Sequence, residues 1–390
     1  MSLLLPEGTR LLHIGPAKTG TTALQSGFHH NREALKPHGV HYAGRGSQAR
    51  AAAGAVATGK RIAGHTQGVE AWPRLLKEVH DSDAKRVVIS SETFARADDV
   101  GAARAIEGLG ADRTHVVITM RPLVDMLSSS WQQHVQLGSR QAYGAWLEAN
   151  LNAADREPAA QPAFLRKSRI DVLARRWGAL VGTDNVTVVS LAAAPRDFVL
   201  RTFERLTGLP EGTLVPDPRS DNVSLGFGTT EVIRHFNGRF SDQPGASADV
   251  QAAVVEFGAV RHLRQRPDLL RADSRIEVPR WAAERAGAIA AEMNRDLLDA
   301  GVRVVGDLQA LTEPSRTPVP FVEEPDAVDT EVAAELLLGM MLAAGDGMPS
   351  FSRIKHAAPV HAIDDMRTTE LVGHAVRRVA SRVRSRLAGH

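Results

Sequence analysis

The stretch that decides the fold is LLHIGPAKTGTTALQ, residues Leu11–Gln25. Its apolar start at residues 11–14 predicts a buried strand, which breaks at Gly15 and Pro16 before a helix begins. The first turn of that helix carries small polar residues and a glycine, namely Thr19, Gly20, Thr21 and Thr22. Amides at a helix start have no intrahelical acceptor and the helix dipole adds positive charge, while Lys18 supplies a full charge. The stretch therefore predicts a cradle for a phosphorylated ligand.

The order of residues in this loop separates it from the loop of nucleoside triphosphatases. In that loop, G-x-x-x-x-G-K-[ST], the lysine follows the last glycine and a hydroxyl binds Mg²⁺, whereas here Lys18 precedes Gly20. A kinase or ATPase also carries a metal-binding Asp at the end of an apolar strand. The two later strands that could supply it, VVISSE and VVITMR, end in Glu92 and Arg121. We therefore expect a polyanion to be held without a metal, and we predict no metal site.

The loop PAKTGTT, Pro16–Thr22, resembles the 5′-phosphosulfate loop of sulfotransferases that use 3′-phosphoadenylyl sulfate (PAPS). The resemblance covers roughly residues 9–311 and is greatest to bacterial stand-alone members. It implies a P-loop NTPase-like fold, PAPS as the cofactor and 3′,5′-ADP as its product. It also implies that Lys18 and the backbone of residues 18–22 bind the 5′-phosphosulfate, with Lys18 stabilising the leaving phosphate during catalysis.

Strands and helices alternate along the first half of the chain, which is typical of a parallel sheet covered on both faces. Beyond the cradle, strands are predicted at residues 39–43, 85–91, 114–120 and 185–191. Residues 152–167 are predicted as a loop on the substrate side, and beyond Pro210 the apolar spacing is mostly helical. The predicted fold class is therefore α/β, a three-layer fold with a central parallel sheet and a mostly helical C-terminal part. Ligands of such sheets bind at the carboxyl ends of strands, so residues at strand ends carry particular weight.

Shifts in composition divide the chain into three parts. A first domain is expected over residues 1–311, with a nucleotide-binding core over about 1–210 and a helical substrate-side part over about 211–311. Residues 312–329 are rich in proline and acids and predict a linker. Residues 330–390 predict a helical extension that ends in a basic amphipathic tail.

A second anion site is predicted at the end of the strand at residues 114–120. Arg121 ends this strand, and serines 128–130 lie about two turns into the following helix. A guanidinium and a hydroxyl so placed can bind a phosphate by charge-assisted hydrogen bonds. The spacing resembles the family's 3′-phosphate motif, an Arg followed eight residues later by a Ser, which selects Ser129. An exposed arginine beside an ordinary serine-rich helix is the alternative.

Sulfuryl transfer also needs a group that takes the proton of the acceptor. Glu92 ends the strand at residues 85–91 within the sequence SSETF, and some glycan-modifying members of the family use a Glu near this point. The resemblance thus implies Glu92 as the catalytic base, beside Lys18 as the other catalytic residue. The structural alternative is that Ser91 caps the following turn while Glu92 fills a capping box or is merely solvated.

The composition of the chain indicates which partners and which cellular location to expect. The 390 residues include 47 Lys and Arg against 45 Asp and Glu, a balance that does not favour nucleic acid as a partner. The chain has no cysteine, which rules out thiol catalysis and disulfides. It has no apolar stretch of 18 residues, and its first residues lack a basic start followed by an apolar region. We therefore expect a cytoplasmic protein.

Two features fall outside the resemblance. Animal members carry a late Arg-Lys-Gly element that closes over the nucleotide, and Arg219–Ser224 is the best substitute for it here. Between residues 367 and 390 the tail holds six Arg against Glu370, beside a stripe of Val and Leu. Such a helix can bind an anionic membrane or a partner, or it can dock on the body of the protein.

The sequence thus predicts a sulfotransferase that moves a sulfuryl group from PAPS to a hydroxyl or amine of a small-molecule, glycan or lipid acceptor. Two alternatives remain open, a P-loop small-molecule kinase and a non-catalytic nucleotide-binding or membrane-associated module. Stabilisation by ATP·Mg²⁺ but not by 3′,5′-ADP would favour the kinase.

Overall fold

A computed structural model of the chain describes residues 2–58, 70–216, 224–244 and 246–345. Within these ranges the strands are β1 (Thr9–His13), β2 (Val40–Tyr42), β3 (Arg86–Ser90), β4 (Thr114–Met120), β5 (Val186–Ser190) and β6 (Arg303–Val305). They form one sheet in the order β2-β3-β1-β4-β5-β6, and every neighbouring pair is parallel. The first five strands confirm the predicted ones, whereas β6 was not predicted.

The described ranges contain sixteen α-helices. They are α1 (Thr21–His30), α2 (Arg32–Leu35), α3 (Arg50–Thr58), α4 (Ala71–His80), α5 (Asp99–Leu109), α6 (Leu123–Gln136), α7 (Tyr143–Leu151), α8 (Ala163–Ser168), α9 (Ile170–Val181), α10 (Phe198–Thr207), α11 (Phe227–Ser241), α12 (Ala248–Val254), α13 (Arg261–Leu263), α14 (Pro267–Ala272), α15 (Arg280–Asp299) and α16 (Thr330–Gly345). The Asp98 carboxylate caps α5 by accepting from the amide of Gly101 at 2.8 Å. Gly208 ends α10 in the left-handed conformation that glycine adopts freely. None of the helices in the described ranges is both long enough and apolar enough to cross a bilayer.

The central strands β3, β1, β4 and β5 are buried on both faces, so their successive side chains enter two different cores. On one face Leu12 of β1 and Val116 of β4 pack with α3, α4, α5 and α9. On the opposite face Leu11 and Val117 pack with α1 and α10. The predicted class is therefore confirmed, an α/β fold with a central parallel sheet between two layers of helices.

The strand order places the carboxyl ends of three strands side by side. His13 at the end of β1 is in register with Ser90 of β3 on one side and with Val117 of β4 on the other. The chain leaves β1 toward one edge of the sheet and leaves β4 toward the other, because β2 and β5 lie on opposite sides of β1. In α/β sheets such a reversal opens the crevice in which ligands bind.

The chain divides into two compact units, and the first contains the whole sheet. The first unit comprises Met1–Leu127, Leu147–Asp221 and Val278–Pro320, and the second comprises Ser128–Trp146, Asn222–Glu277 and Phe321–His390. The described part of the second unit is helical. Inside it, the fully buried Trp131 packs against Tyr143 and Phe227, with ring centroids 5.0 and 5.6 Å away. The mostly helical C-terminal part is confirmed, and the predicted domain bounds stay a prediction.

Two local predictions are corrected by the structure. Helix α1 begins at Thr21, so Thr19 and Gly20 lie in the loop before it rather than in its first turn. The end of the loop predicted at residues 152–167 is helical, because α8 occupies residues 163–168. Two other predictions, Arg219–Ser224 apart from its last residue and the tail at residues 346–390, lie outside the described residues.

Candidate functional site

The loop between β1 and α1 leaves the start of α1 without a side-chain cap. Gly20 precedes the helix in the left-handed conformation, with φ 76°, and no side chain caps the first amides of α1. Those amides have no acceptor within the helix, and the helix dipole favours negative charge at this end. Thr21 is buried in the first turn, and Thr22 beside it is exposed. A helix start of this kind can bind an anion.

Lys18 adopts an uncommon backbone conformation within this loop. Its φ is 75°, in the left-handed region that a residue other than glycine enters at a cost of about 1–3 kcal/mol. The next residue, Thr19, is fully buried and donates a hydrogen bond to the Pro16 carbonyl at 2.7 Å. The Lys18 side chain is exposed. Strain of this kind is found at ligand clamps, because the surrounding contacts hold the loop in one shape.

Arg121 lies beside this loop. It follows directly after β4, the neighbour of β1 in the sheet, and its side chain is exposed. Its Nη1 atom is 3.5 Å from the backbone carbonyl oxygen of Lys18. The structure therefore brings a guanidinium to the same edge of the sheet as the loop lysine.

Ser129, the predicted partner of Arg121, lies on α6 and is half-buried. It belongs to the second unit, whereas Arg121 belongs to the first. The neighbouring Ser128 donates to the carbonyl of Ile276 at 2.9 Å and contacts the Tyr143 hydroxyl at 3.1 Å. The role of Ser129 in phosphate binding stays a prediction.

Glu92 stands on the other side of the loop, at the end of β3. Its Oε2 atom accepts a hydrogen bond from the hydroxyl of Thr21 at 3.2 Å, so the carboxylate touches the first residue of α1. Arg50 Nη2 is 3.9 Å from Oε1, and the Glu92 side chain is 22% exposed. Ser91 caps the short 3₁₀ segment Glu92–Arg96 by accepting from the Thr93 amide at 3.3 Å. This cap was predicted for Ser91 as part of the structural alternative to a catalytic Glu92. With Ser91 in this capping role, the Glu92 carboxylate lies at the edge of the loop and is partly exposed to solvent.

Sequence reasoning missed Lys167, which is half-buried on α8. This helix packs against the segment Glu92–Arg96. The pKa of Lys167 is lowered to about 8, mainly by burial and also by the positive charges of Arg96 and Lys18, while the Glu92 carboxylate opposes this shift. Lys167 is thus a fourth charged residue near the loop, besides Lys18, Arg121 and Glu92. Helix α8 has only six residues, too few for an apolar period to reveal it.

We expect the substitution Lys167→Met to change how stability depends on pH. The pKa of Lys167 falls from 10.5 to about 8 on folding, so between these values the unfolded chain binds more protons. The contribution of Lys167 to wild-type stability therefore rises from pH 8 to pH 10.5, and below pH 8 the buried charge costs no more than about 3 kcal/mol. The methionine variant avoids this cost, so its advantage in unfolding free energy should shrink as the pH rises. Urea denaturation at several pH values measures the difference.

The matched control for this prediction is Lys77→Met on α4, where the lysine side chain is 76% exposed. Its stability difference from wild type should change little between pH 8 and pH 10, since an ion pair exposed to solvent contributes less than about 1 kcal/mol. If the two methionine variants showed the same pH dependence, Lys167 would not be the buried charge described above.

Part of this chain is similar to the crystal structure of a sulfotransferase from Alicyclobacillus acidocaldarius. The two share 17% sequence identity with a TM-score of 0.37, over 54% of this chain and 84% of that one. No protein-family model matches the chain, and no curated protein matches its sequence. This degree of similarity does not assign the chain to a family, so its function has to be inferred from its own residues.

Proposed function

We propose that this chain transfers a sulfuryl group from PAPS to a hydroxyl or amine of a small-molecule, glycan or lipid acceptor. The observation that carries the proposal is the grouping of three strand ends at one edge of the sheet. There the strained Lys18 loop has Arg121 on one side, 3.5 Å from its carbonyl, and Glu92 on the other, in contact with Thr21. Two cationic groups and a carboxylate suit an anionic donor and an acceptor that must lose a proton.

The donor has negative charge at two places, and the site offers positive charge at two. Lys18 and the backbone amides of residues 18–22 suit the 5′-phosphosulfate, because a helix start and an ammonium together favour a polyanion. Arg121 suits the 3′-phosphate, since a guanidinium binds phosphate through two parallel hydrogen bonds. Ser129 joins it in this assignment on the strength of the sequence spacing.

The chemical step forms a bond between the acceptor oxygen or nitrogen and sulfur, and breaks the bond from sulfur to the bridging oxygen of the phosphosulfate. The electron pair of the broken bond leaves with 3′,5′-ADP, and Lys18 stabilises that growing negative charge. The acceptor proton passes to the carboxylate of Glu92. The step resembles phosphoryl transfer in depending mainly on positioning and charge stabilisation.

Binding of the product 3′,5′-ADP tests the proposal most directly. A ligand present at a hundred times its Kd adds about 2.7 kcal/mol to the free energy of unfolding, which a thermal shift detects. We expect 3′,5′-ADP to stabilise the protein and to bind about 10- to 100-fold more tightly than 5′-AMP, which lacks the 3′-phosphate. Arg121→Met should remove this preference, because the substitution deletes the guanidinium that would recognise the extra phosphate.

The control variant is Arg113→Met, since Arg113 is an exposed arginine whose neighbour is Asp112. It should keep the preference of the wild type for 3′,5′-ADP. Stabilisation by ATP·Mg²⁺ without stabilisation by 3′,5′-ADP would contradict the proposal and favour a kinase. Tight binding of 3′,5′-ADP without turnover on any class of acceptor would favour a non-catalytic nucleotide-binding module.

A further inference from the structure

A continuous set of hydrogen bonds runs beneath the loop, from the core of the sheet to the loop backbone. We call it the buried relay. Its side chains are each 4% exposed or less, and they are Gln25, Ser90, His13, Thr119 and Thr19. It ends on the backbone carbonyl of Pro16. The successive donor–acceptor distances are 3.2, 2.8, 3.2, 2.7 and 2.7 Å.

The direction of these hydrogen bonds follows from the last one. A carbonyl oxygen only accepts, so Thr19 donates its hydroxyl proton to Pro16. The Thr19 oxygen is then the acceptor for the Thr119 hydroxyl. Thr119 has only one hydroxyl proton to donate, so its oxygen accepts from the Nε2–H group of His13.

The imidazole of His13 thereby carries a proton on Nε2, and its complete burial favours the neutral ring. Its Nδ1 atom carries a lone pair that accepts from the Ser90 hydroxyl, and the Ser90 oxygen accepts from the amide of Gln25. Burial lowers the pKa of His13 to about 3, which keeps the ring neutral at ordinary pH. Phe203 packs edge-on against the ring with a centroid distance of 5.1 Å, so packing fixes the ring plane as well.

The buried relay acts on the loop through Thr19, its last side chain on the loop side. Thr19 lies between Lys18 and Gly20, whose backbones are both left-handed, with φ 75° and 76°. At the other end of the loop, the backbone of Gly15 lies against Thr119, since a Cβ atom at Gly15 would be 2.1 Å from Thr119 Oγ1. Anchoring Thr19 thus fixes the backbone that carries the Lys18 ammonium and leads into the open amides of α1.

We propose that His13 is a positioning residue, which as its Nε2–H tautomer holds Thr119 and Thr19 and so keeps the loop in its anion-binding shape. The inference rests on the proposed function only for the choice of 3′,5′-ADP as the probe. Affinity for a phosphorylated ligand, and not stability alone, should depend on an unbroken buried relay.

The first test compares two substitutions of Thr119. Thr119→Val keeps the shape but leaves the Nε2–H of His13 without an acceptor, whereas Thr119→Ser keeps the hydroxyl. Calorimetry measures the Kd for 3′,5′-ADP at a temperature at which both variants are folded. We expect Kd to rise at least about tenfold in the valine variant and to stay within about threefold of wild type in the serine variant. A lower melting temperature with an unchanged Kd in the valine variant would overturn the proposal.

The second test needs neither a variant nor a ligand, and so stands if Thr119→Val does not fold. Nitrogen-15 NMR of the histidine-labelled wild type should show a protonated Nε2 and an unprotonated Nδ1 for His13, unchanged from about pH 8 to pH 5. The opposite tautomer, or titration of His13 in this range, would overturn the proposal. A wild type that fails to bind 3′,5′-ADP yet shows the expected tautomer would contradict the proposed function and leave the buried relay supported.

Discussion

Lys18→Met is expected to lower kcat/KM for sulfuryl transfer by about 10²- to 10³-fold, the usual effect of removing one group that stabilises transition-state charge. The Lys18 side chain is exposed at the start of α1, so it contributes little packing. Methionine is also unbranched and only one atom shorter than lysine, so the substitution mainly removes the ammonium group. The free energy of unfolding should therefore change by less than about 0.5 kcal/mol. Steady-state kinetics with PAPS and an acceptor, together with urea denaturation, measure the two effects.

The left-handed backbone of Lys18 allows a second substitution that separates strain from charge. Lys18→Gly removes the same charge but relieves the strain of φ 75°, so this variant should be at least as stable as Lys18→Met. Both should be equally poor catalysts. The control is Lys36→Met, because the Lys36 side chain is 67% exposed and pairs with Glu33 away from the loop. An active Lys18→Met variant, or a control variant that loses as much activity, would contradict the role given to Lys18.

The sheet could be predicted because its long strands are continuous apolar runs. Strand β4 has the predicted bounds Thr114–Met120, and β3 and β5 are each shorter than predicted by one residue at either end. The short strand β6 could not be predicted, because its three residues are exposed or half-buried and show no apolar period. It is defined by pairing with β5, which lies more than a hundred residues earlier in the chain.

The gathering of candidate residues at one edge could also be predicted, because parallel strands point their carboxyl ends the same way. The individual contacts of these candidate residues could not be predicted. The Thr21 hydroxyl meets Glu92 across 71 residues of sequence, and Arg121 approaches the Lys18 carbonyl across 103. The directions of these side chains follow from tertiary packing, which periodicity does not encode. The short helix that carries Lys167 gave no signal in the sequence, because its six residues are too few to show an apolar period.

Glu92→Gln is expected to lower kcat by about 10²- to 10³-fold, because glutamine cannot take the proton of the acceptor. The substitution keeps the shape of the side chain, and its amide oxygen can still accept from the Thr21 hydroxyl, which lies 3.2 Å from Oε2. The anion-binding start of α1 is therefore left intact. Affinity for 3′,5′-ADP should stay within about threefold of wild type, since the proton acceptor acts on the other substrate. Single-turnover kinetics at saturating PAPS and calorimetry with 3′,5′-ADP measure the two quantities.

Ser91→Ala separates the catalytic role proposed for Glu92 from the capping role of the same segment. It removes the oxygen that accepts from the Thr93 amide at 3.3 Å, which should cost about 1 kcal/mol of stability and leave the carboxylate of Glu92 in place. Turnover should then remain within about threefold of wild type. Two results would indicate that the segment Glu92–Arg96 has only a structural role. One is a Glu92→Gln variant that keeps its turnover, and the other is an alanine variant that loses as much turnover as the glutamine variant. The proton would then have to leave through another group, and the proposal for Glu92 would be wrong even if Lys18 and Arg121 bind the donor as described.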